Sequence, residues 1–180
     1  IQILRLFYMH INKHMAYTLT ELAITILVLS ILVTLALPYY HEMKANQERR
    51  TIFRQLIANI QLAKQHAAIH HTNVVMCSSE NMQSCKEEMW EQGFILFLDS
   101  NQNRQLDLNE ILVSQERTDL SYGTLNWRGT LHFPSLNFMA EHGLPIGSNG
   151  SFYYCSSTVK HMKIILNKMG NSRSIDLSNC

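Results

Sequence analysis

Between Ala16 and Pro38 the chain reads AYTLTELAITILVLSILVTLALP, an apolar run whose one charge is Glu21. As a helix, residues 17–40 would span ~36 Å at 1.5 Å per residue, enough to cross a hydrocarbon core of ~30 Å. The run is too long and too uniformly apolar for a buried core helix, so it predicts a membrane-spanning segment. Glu21 is the discordant residue. A carboxylate in such surroundings costs ~2.5–3.5 kcal/mol at a helix centre, so it calls for a partner or a job. A secretory signal peptide cleaved near Thr34-Leu35-Ala36 is the competing reading, and Glu21 inside the apolar segment argues against it.

Beyond that segment the length leaves a single modest domain. The chain carries 15 Lys and Arg against 14 Asp and Glu, so the near-neutral sum excludes neither an acidic nor a basic partner. The distribution says more. Residues 41–64 are basic (Lys44, Arg49, Arg50, Arg54 and Lys64 against Glu42 and Glu48), residues 80–119 are acidic, and the tail from Phe152 is basic again. Such blocks form solvated surfaces or select partners by charge.

Cys77, Cys85, Cys155 and Cys180 make an even set behind a membrane anchor, which points to disulfides in an oxidising compartment. Three pairings exist. Cys77–Cys85 with Cys155–Cys180 closes two local loops and is the favoured one, contributing about 2–3 and about 3–4 kcal/mol in the chain-entropy picture. A zinc site is the alternative, and the lack of any Cys-x-x-Cys pair opposes it.

After the apolar run, the helix is expected to continue over residues 41–71. Ile52, Phe53, Leu56, Ile57, Ile60, Ala63 and Ala67 recur at spacings of three and four, an apolar stripe on a polar helix. Pro38 would kink or loosen the helix between its two halves. Short β-branched or aromatic runs follow at Thr72–Cys77, Gly93–Leu98, Ile111–Ser114, Gly123–Trp127, Thr130–Phe133, Ser151–Cys155, Met162–Leu166 and Ser174–Leu177, separated by turn residues. Strands this short, with no helices between them, predict an antiparallel sheet in an α+β fold.

The segment Ala16-Tyr17-Thr-Leu-Thr-Glu21, followed by an apolar helix and Pro38, resembles the processing site of type IV prepilins and of the pseudopilins of type II secretion. Ala16 stands where that family has Gly, and Tyr17 where it has Phe. The resemblance implies a leader over residues 1–16, starting at Met9, that a prepilin peptidase removes after Ala16. It also implies N-methylation of Tyr17, a filament-core or transmembrane helix over 17–40, and an exported domain over 72–180. Glu21 would meet the methylated amine of a neighbouring subunit, and Pro38 would keep its place in the helix. Val74-Val-Met-Cys77, Trp90, Gly93-Phe-Ile-Leu-Phe-Leu-Asp99, Asn109-Glu110-Ile-Leu, Phe152-Tyr-Tyr-Cys155 and Lys168-Met-Gly170-Asn-Ser-Arg173 follow in order, and this order resembles the GspH/FimT minor pilins and pseudopilins. The implied fold is type IV pilin-like, a long helix packed on an antiparallel sheet. The implied partners are other pilin or pseudopilin subunits, the peptidase and the bacterial inner membrane, with the head in the periplasm. No cofactor is implied.

Three constellations remain. Asp99, Asn101, Asn103, Asp107 and Glu110 occupy alternating positions of a calcium-loop frame, but Arg104 fills its glycine position, so a polar hairpin turn is the default reading. His66 and His70 stand four apart with His71 beside them, a spacing that presents two imidazoles on one helix face; solvated helix-end histidines are the plain alternative. Lys160, Lys163, Lys168 and Arg173 form a basic tail. In FimT-like proteins of DNA uptake, the resemblance implies double-stranded DNA binding through Gly-Arg-x-Arg; here Gly170-Asn171-Ser172-Arg173 keeps only the second arginine. Four phosphate contacts would give a salt slope near ~−3.6, and lysines guarding a sheet edge explain the same residues. No Gly-x-Ser-x-Gly, phosphate loop or Cys–His nucleophile pair occurs, so no enzyme is expected. A minor pilin of the FimT type and a GspH-like pseudopilin of type II secretion are the two readings.

Overall fold

The computed structural model describes residues 18–180, so the predicted leader and the cleavage pair Ala16 and Tyr17 lie outside the described residues. The elements are α1 (Leu19–His70), β1 (Asn73–Ser78), β2 (Gly93–Asp99), β3 (Leu112–Arg117), β4 (Gly123–Gly129), β5 (Leu136–Phe138), β6 (Gly150–Ser156), β7 (His161–Leu166) and β8 (Ser172–Leu177). The chain divides into two compact units, with the boundary between Tyr40 and His41.

In the first unit, α1 opens at Thr18, whose hydroxyl accepts from the Glu21 amide at 3.2 Å and so caps the helix. Every residue from Leu19 to Tyr40 is exposed, although nearly all are apolar. The polar exceptions are satisfied within the helix: the hydroxyls of Thr25, Ser30 and Thr34 donate to the carbonyls of Leu22, Leu27 and Ile31 at 2.7–2.8 Å. A helix that must sit in hydrocarbon has to close its hydrogen bonds internally in this way. Pro38 lies inside α1, where it withholds the amide that would bond the Thr34 carbonyl.

In the second unit α1 buries Ala45, Ile52, Leu56, Asn59, Ile60, Ala63 and Ala67. Phe53 and Ile57, on the shoulders of the expected stripe, are half-buried. The sheets against which this face packs are four-stranded and antiparallel, in the orders β3-β2-β1-β5 and β4-β6-β7-β8. The main core joins the α1 stripe to Val74, Met76, Phe94, Leu96 and Leu98 of the first sheet and to Leu125, Phe152, Tyr154, Met162, Ile164 and Leu166 of the second. Each fully buried Leu, Ile or Phe there contributes about 1.5–3 kcal/mol.

β1 and β2 are buried on both faces, which explains why Val-Val-Met-Cys and Phe-Ile-Leu-Phe-Leu do not alternate with polar residues. The second face is covered by a smaller cluster of Val75, Cys77, Met82, Ile95 and Phe97, with Cys85 and Leu106 packed against it. Cys77 is bonded to Cys85 and Cys155 to Cys180. β6 and β7 alternate between buried and half-buried residues, leaving one face of their sheet open.

The strand expected at Thr130–Phe133 does not form. His132 sits at φ 59° with its amide bonded to the Gly129 carbonyl at 3.1 Å, and the Thr130 amide and hydroxyl both donate to the Asn149 carbonyl. These bonds close a turn where a strand would need a ladder. The strand is instead β5, whose Leu136 and Phe138 enter the core and pair with Met76 and Val74.

Candidate functional site

Two surfaces carry the residues singled out by the sequence. The first is the apolar half of α1. Glu21, in its first turn, is the one charged residue of Leu19–Tyr40, and the positive end of the helix dipole favours a carboxylate there.

The second surface is the open face of the β4-β6-β7-β8 sheet. Register places residues in rows across it: Arg128, Ser151, Ile165 and Arg173 in one, Asn126, Tyr153, Lys163 and Ile175 in the next. The Arg128 guanidinium lies 4.5 Å from the Tyr153 ring centroid and the Lys163 ammonium 5.2 Å from it, both within cation–π range. Three cations therefore share one face, two of them, Arg128 and Lys163, over the same aromatic ring. Asp176, the one carboxylate of β8, pairs with Met162 of the buried face and forms a salt bridge with Arg49 of α1, so it does not neutralise them.

Lys163 and Arg173 are thus brought together, whereas Lys160 and Lys168 sit in the turns at opposite ends of β7, a strand ~20 Å long at 3.3 Å per residue. Arg128 joins the face unannounced by the sequence, because only the β4–β6 register reveals it. Asn171 serves the β7–β8 turn: its amide donates to the Asn167 side chain at 2.9 Å and its carbonyl accepts from the Asn167 amide at 3.1 Å. Gly170 supplies the φ of 71° which that turn needs.

The calcium-loop frame forms one turn between β2 and β3. Asp99 accepts from the amides of Asn103 and Arg104, Asp107 accepts from the side-chain amides of Asn101 and Asn103 at 2.7 and 2.8 Å, and Glu110 accepts from the amides of Ser100 and Asp107. Arg104 fills the position that the calcium-loop frame reserves for glycine. It adopts φ 62°, and its guanidinium lies 3.9 Å from the centroid of the Phe133 ring. Burial raises the Asp99 carboxyl above its ordinary range and lowers Arg104 below its own. Among the described residues, no three His, Cys, Asp or Glu side chains converge as a metal cluster.

At the other end of the second unit's helix, the His66 and His70 rings stack with centroids 5.3 Å apart and planes 19° apart. His71 follows at φ 48°, where the helix ends.

The family profile described as "Type II transport protein GspH" matches residues 53–170, well over half of the chain. The chain belongs to the GspH family. The matched span takes in α1 from Phe53 onward, the strands β1 to β7, and three of the four cysteines. In fold, this GspH-family chain is similar to the type IV minor pilin FimU of Pseudomonas aeruginosa (strain PAO1). One FimU crystal form superposes with a TM-score of 0.53 at 13% identity, covering 75% of this chain and 96% of FimU. A second gives 0.51 at 12% identity, covering 73% and 98%. No curated protein matches the GspH-family chain in sequence. The long N-terminal helix and antiparallel sheets are thus those of the type IV pilin fold, and α1 is long and apolar enough to cross a membrane.

Proposed function

We propose that this GspH-family protein is a minor pilin-like structural subunit of a type IV pilus, FimT-like, that takes part in pilus assembly and binds double-stranded DNA for uptake. In this reading a prepilin peptidase cleaves after Ala16, Tyr17 becomes the methylated N-terminus, and the helix over 17–40 holds the subunit in the bacterial inner membrane until it enters the filament. The head faces the periplasm and does no chemistry. Glu21 pairs with the terminal amine of a neighbouring subunit, because an unpaired charge among apolar helices costs several kcal/mol.

The observation that carries the DNA reading is the open sheet face that holds Arg128 and Lys163 over Tyr153 and Arg173 on β8. Lys160 and Lys168 extend it at the two ends of β7. Cations on an open sheet face contact phosphates and read no sequence. Three of them predict a salt slope near about −2.7 on duplex DNA.

The test is duplex-DNA binding by the full chain in detergent micelles across a salt series, beside an Arg128→Ala/Lys163→Ala/Arg173→Ala variant. Salt-sensitive binding that disappears in the variant is the expected result. No binding even at low salt would leave the second reading, a GspH-like pseudopilin of type II secretion that contacts only proteins. Asn171, standing where the first arginine of Gly-Arg-x-Arg would be, favours that second reading.

A further inference from the structure

We infer that His66 and His70 form a binding site for a borderline transition-metal ion, Zn²⁺ or Cu²⁺, at the C-terminal end of α1. Neither the filament role nor the basic sheet face uses these residues. They stand four apart on one helix, the spacing that puts two imidazoles on one face within reach of one ion. The 5.3 Å centroid separation and 19° between ring planes place both rings on the same side of the helix.

His66 is half-buried, and its Nδ1 is buried with no hydrogen-bond partner among the described residues. With the proton on Nδ1, Nε2 carries the free lone pair that an ion needs. His70 is exposed, so its ring can turn to share that ion.

Location adds a second, independent reason. The pair spans the last turn of α1, which ends at His70, and the last carbonyls of a helix carry the negative end of its dipole. A cation is favoured there before any ligand bond forms. Two imidazoles and no carboxylate select Zn²⁺, Cu²⁺ or Ni²⁺ over Ca²⁺ or Mg²⁺. With two protein ligands, water fills the remaining positions, so the site is weaker than a four-ligand structural zinc centre. His71 turns off the helix in a left-handed conformation and is assigned no ligand role.

The experiment uses the untagged full chain in detergent micelles, because the chain has 9 histidines of its own. ZnCl₂ is titrated by calorimetry in a background of Ca²⁺, a hard cation that fills oxygen sites and leaves imidazoles open. CuCl₂ is followed in parallel by electron paramagnetic resonance. Wild type is compared with His70→Gln, His66→Gln and the double variant. The expected result is Zn²⁺ binding weakened at least about tenfold, or about 1.4 kcal/mol, by His70→Gln and abolished in the double variant, with two nitrogens coupled to copper in wild type. Unchanged affinity in His70→Gln overturns the inference. So does the absence of Zn²⁺ binding to wild type up to about 1 mM. His70 is exposed, so its variant keeps the test valid where His66→Gln disturbs packing.

Discussion

In the proposed filament role, Glu21 is the side chain on which assembly depends. The hydroxyls of Thr25, Ser30 and Thr34 in its apolar helix are satisfied by carbonyls one turn back, and its carboxylate is the one charge between Leu19 and Tyr40. Glu21→Ala is expected to leave the protein inserted and its head folded while removing it from filaments. Membrane fractionation and a sheared-filament assay would check this, and normal incorporation of the variant would sink the pairing idea. The sequence made Glu21 legible because a lone carboxylate in an apolar run is conspicuous in one dimension. Arg128 was not legible, because a cation at a strand end acquires meaning only from the partner its register provides. Arg104 is a related case. An arginine at a glycine position looks prohibitive until the turn pays the left-handed backbone cost and the guanidinium finds the Phe133 ring.

At the scale of elements, the α1–sheet contact depends on a polar clamp as well as on its apolar stripe. Glu48 of α1 accepts from the Ser121 amide at 2.7 Å, the Tyr122 amide at 3.2 Å and the Tyr154 hydroxyl at 2.9 Å. Tyr154 lies on β6, fully buried. Its burial, then the nearby Glu48 charge, pushes its hydroxyl well above the ordinary tyrosine range. Tyr154→Phe removes a hydrogen bond to a charged acceptor and is expected to cost about 1.5–3 kcal/mol at neutral pH. The folded state holds this proton more tightly than the unfolded chain does. The stability tied to it is therefore complete below about pH 10 and is lost as pH rises from there toward the folded-state value. Urea unfolding at neutral and alkaline pH should show the wild type losing its advantage over Tyr154→Phe as pH climbs; equal stability at neutral pH would refute the clamp. Periodicity exposed α1 and most strands, since stripes and β-branched runs are local signals. It missed β5, where Leu136 and Phe138 are too few to show a period. It took Thr130–Phe133 for a strand because those residues have strand composition, while the bonds to Asn149 that help to hold them in a turn come from 19 residues away.

At the scale of the whole molecule, the two units answer to different solvents. Both apolar clusters draw their residues from Ile52 to Leu166, and both disulfides lie beyond Tyr40. The unit from His41 to Cys180 thus holds its complete core. A unit of that size buries about two thirds of the surface its unfolded chain exposes, enough for independent folding. Leu19–Tyr40, by contrast, buries nothing within the protein. At ~25 cal/mol per Å² of apolar surface, it gains from lipid or neighbouring helices what it cannot gain from its own chain. A fragment of residues 41–180, expressed where disulfides form, is therefore expected to be soluble without detergent. It should unfold in one cooperative transition with a urea slope of about 1–3 kcal/mol per molar. The full chain is expected to need detergent or membrane. Circular dichroism during urea titration, with sedimentation of both proteins, would check this. A fragment that aggregates or melts without cooperativity would mean that the apolar helix, beyond anchoring the head, completes its core.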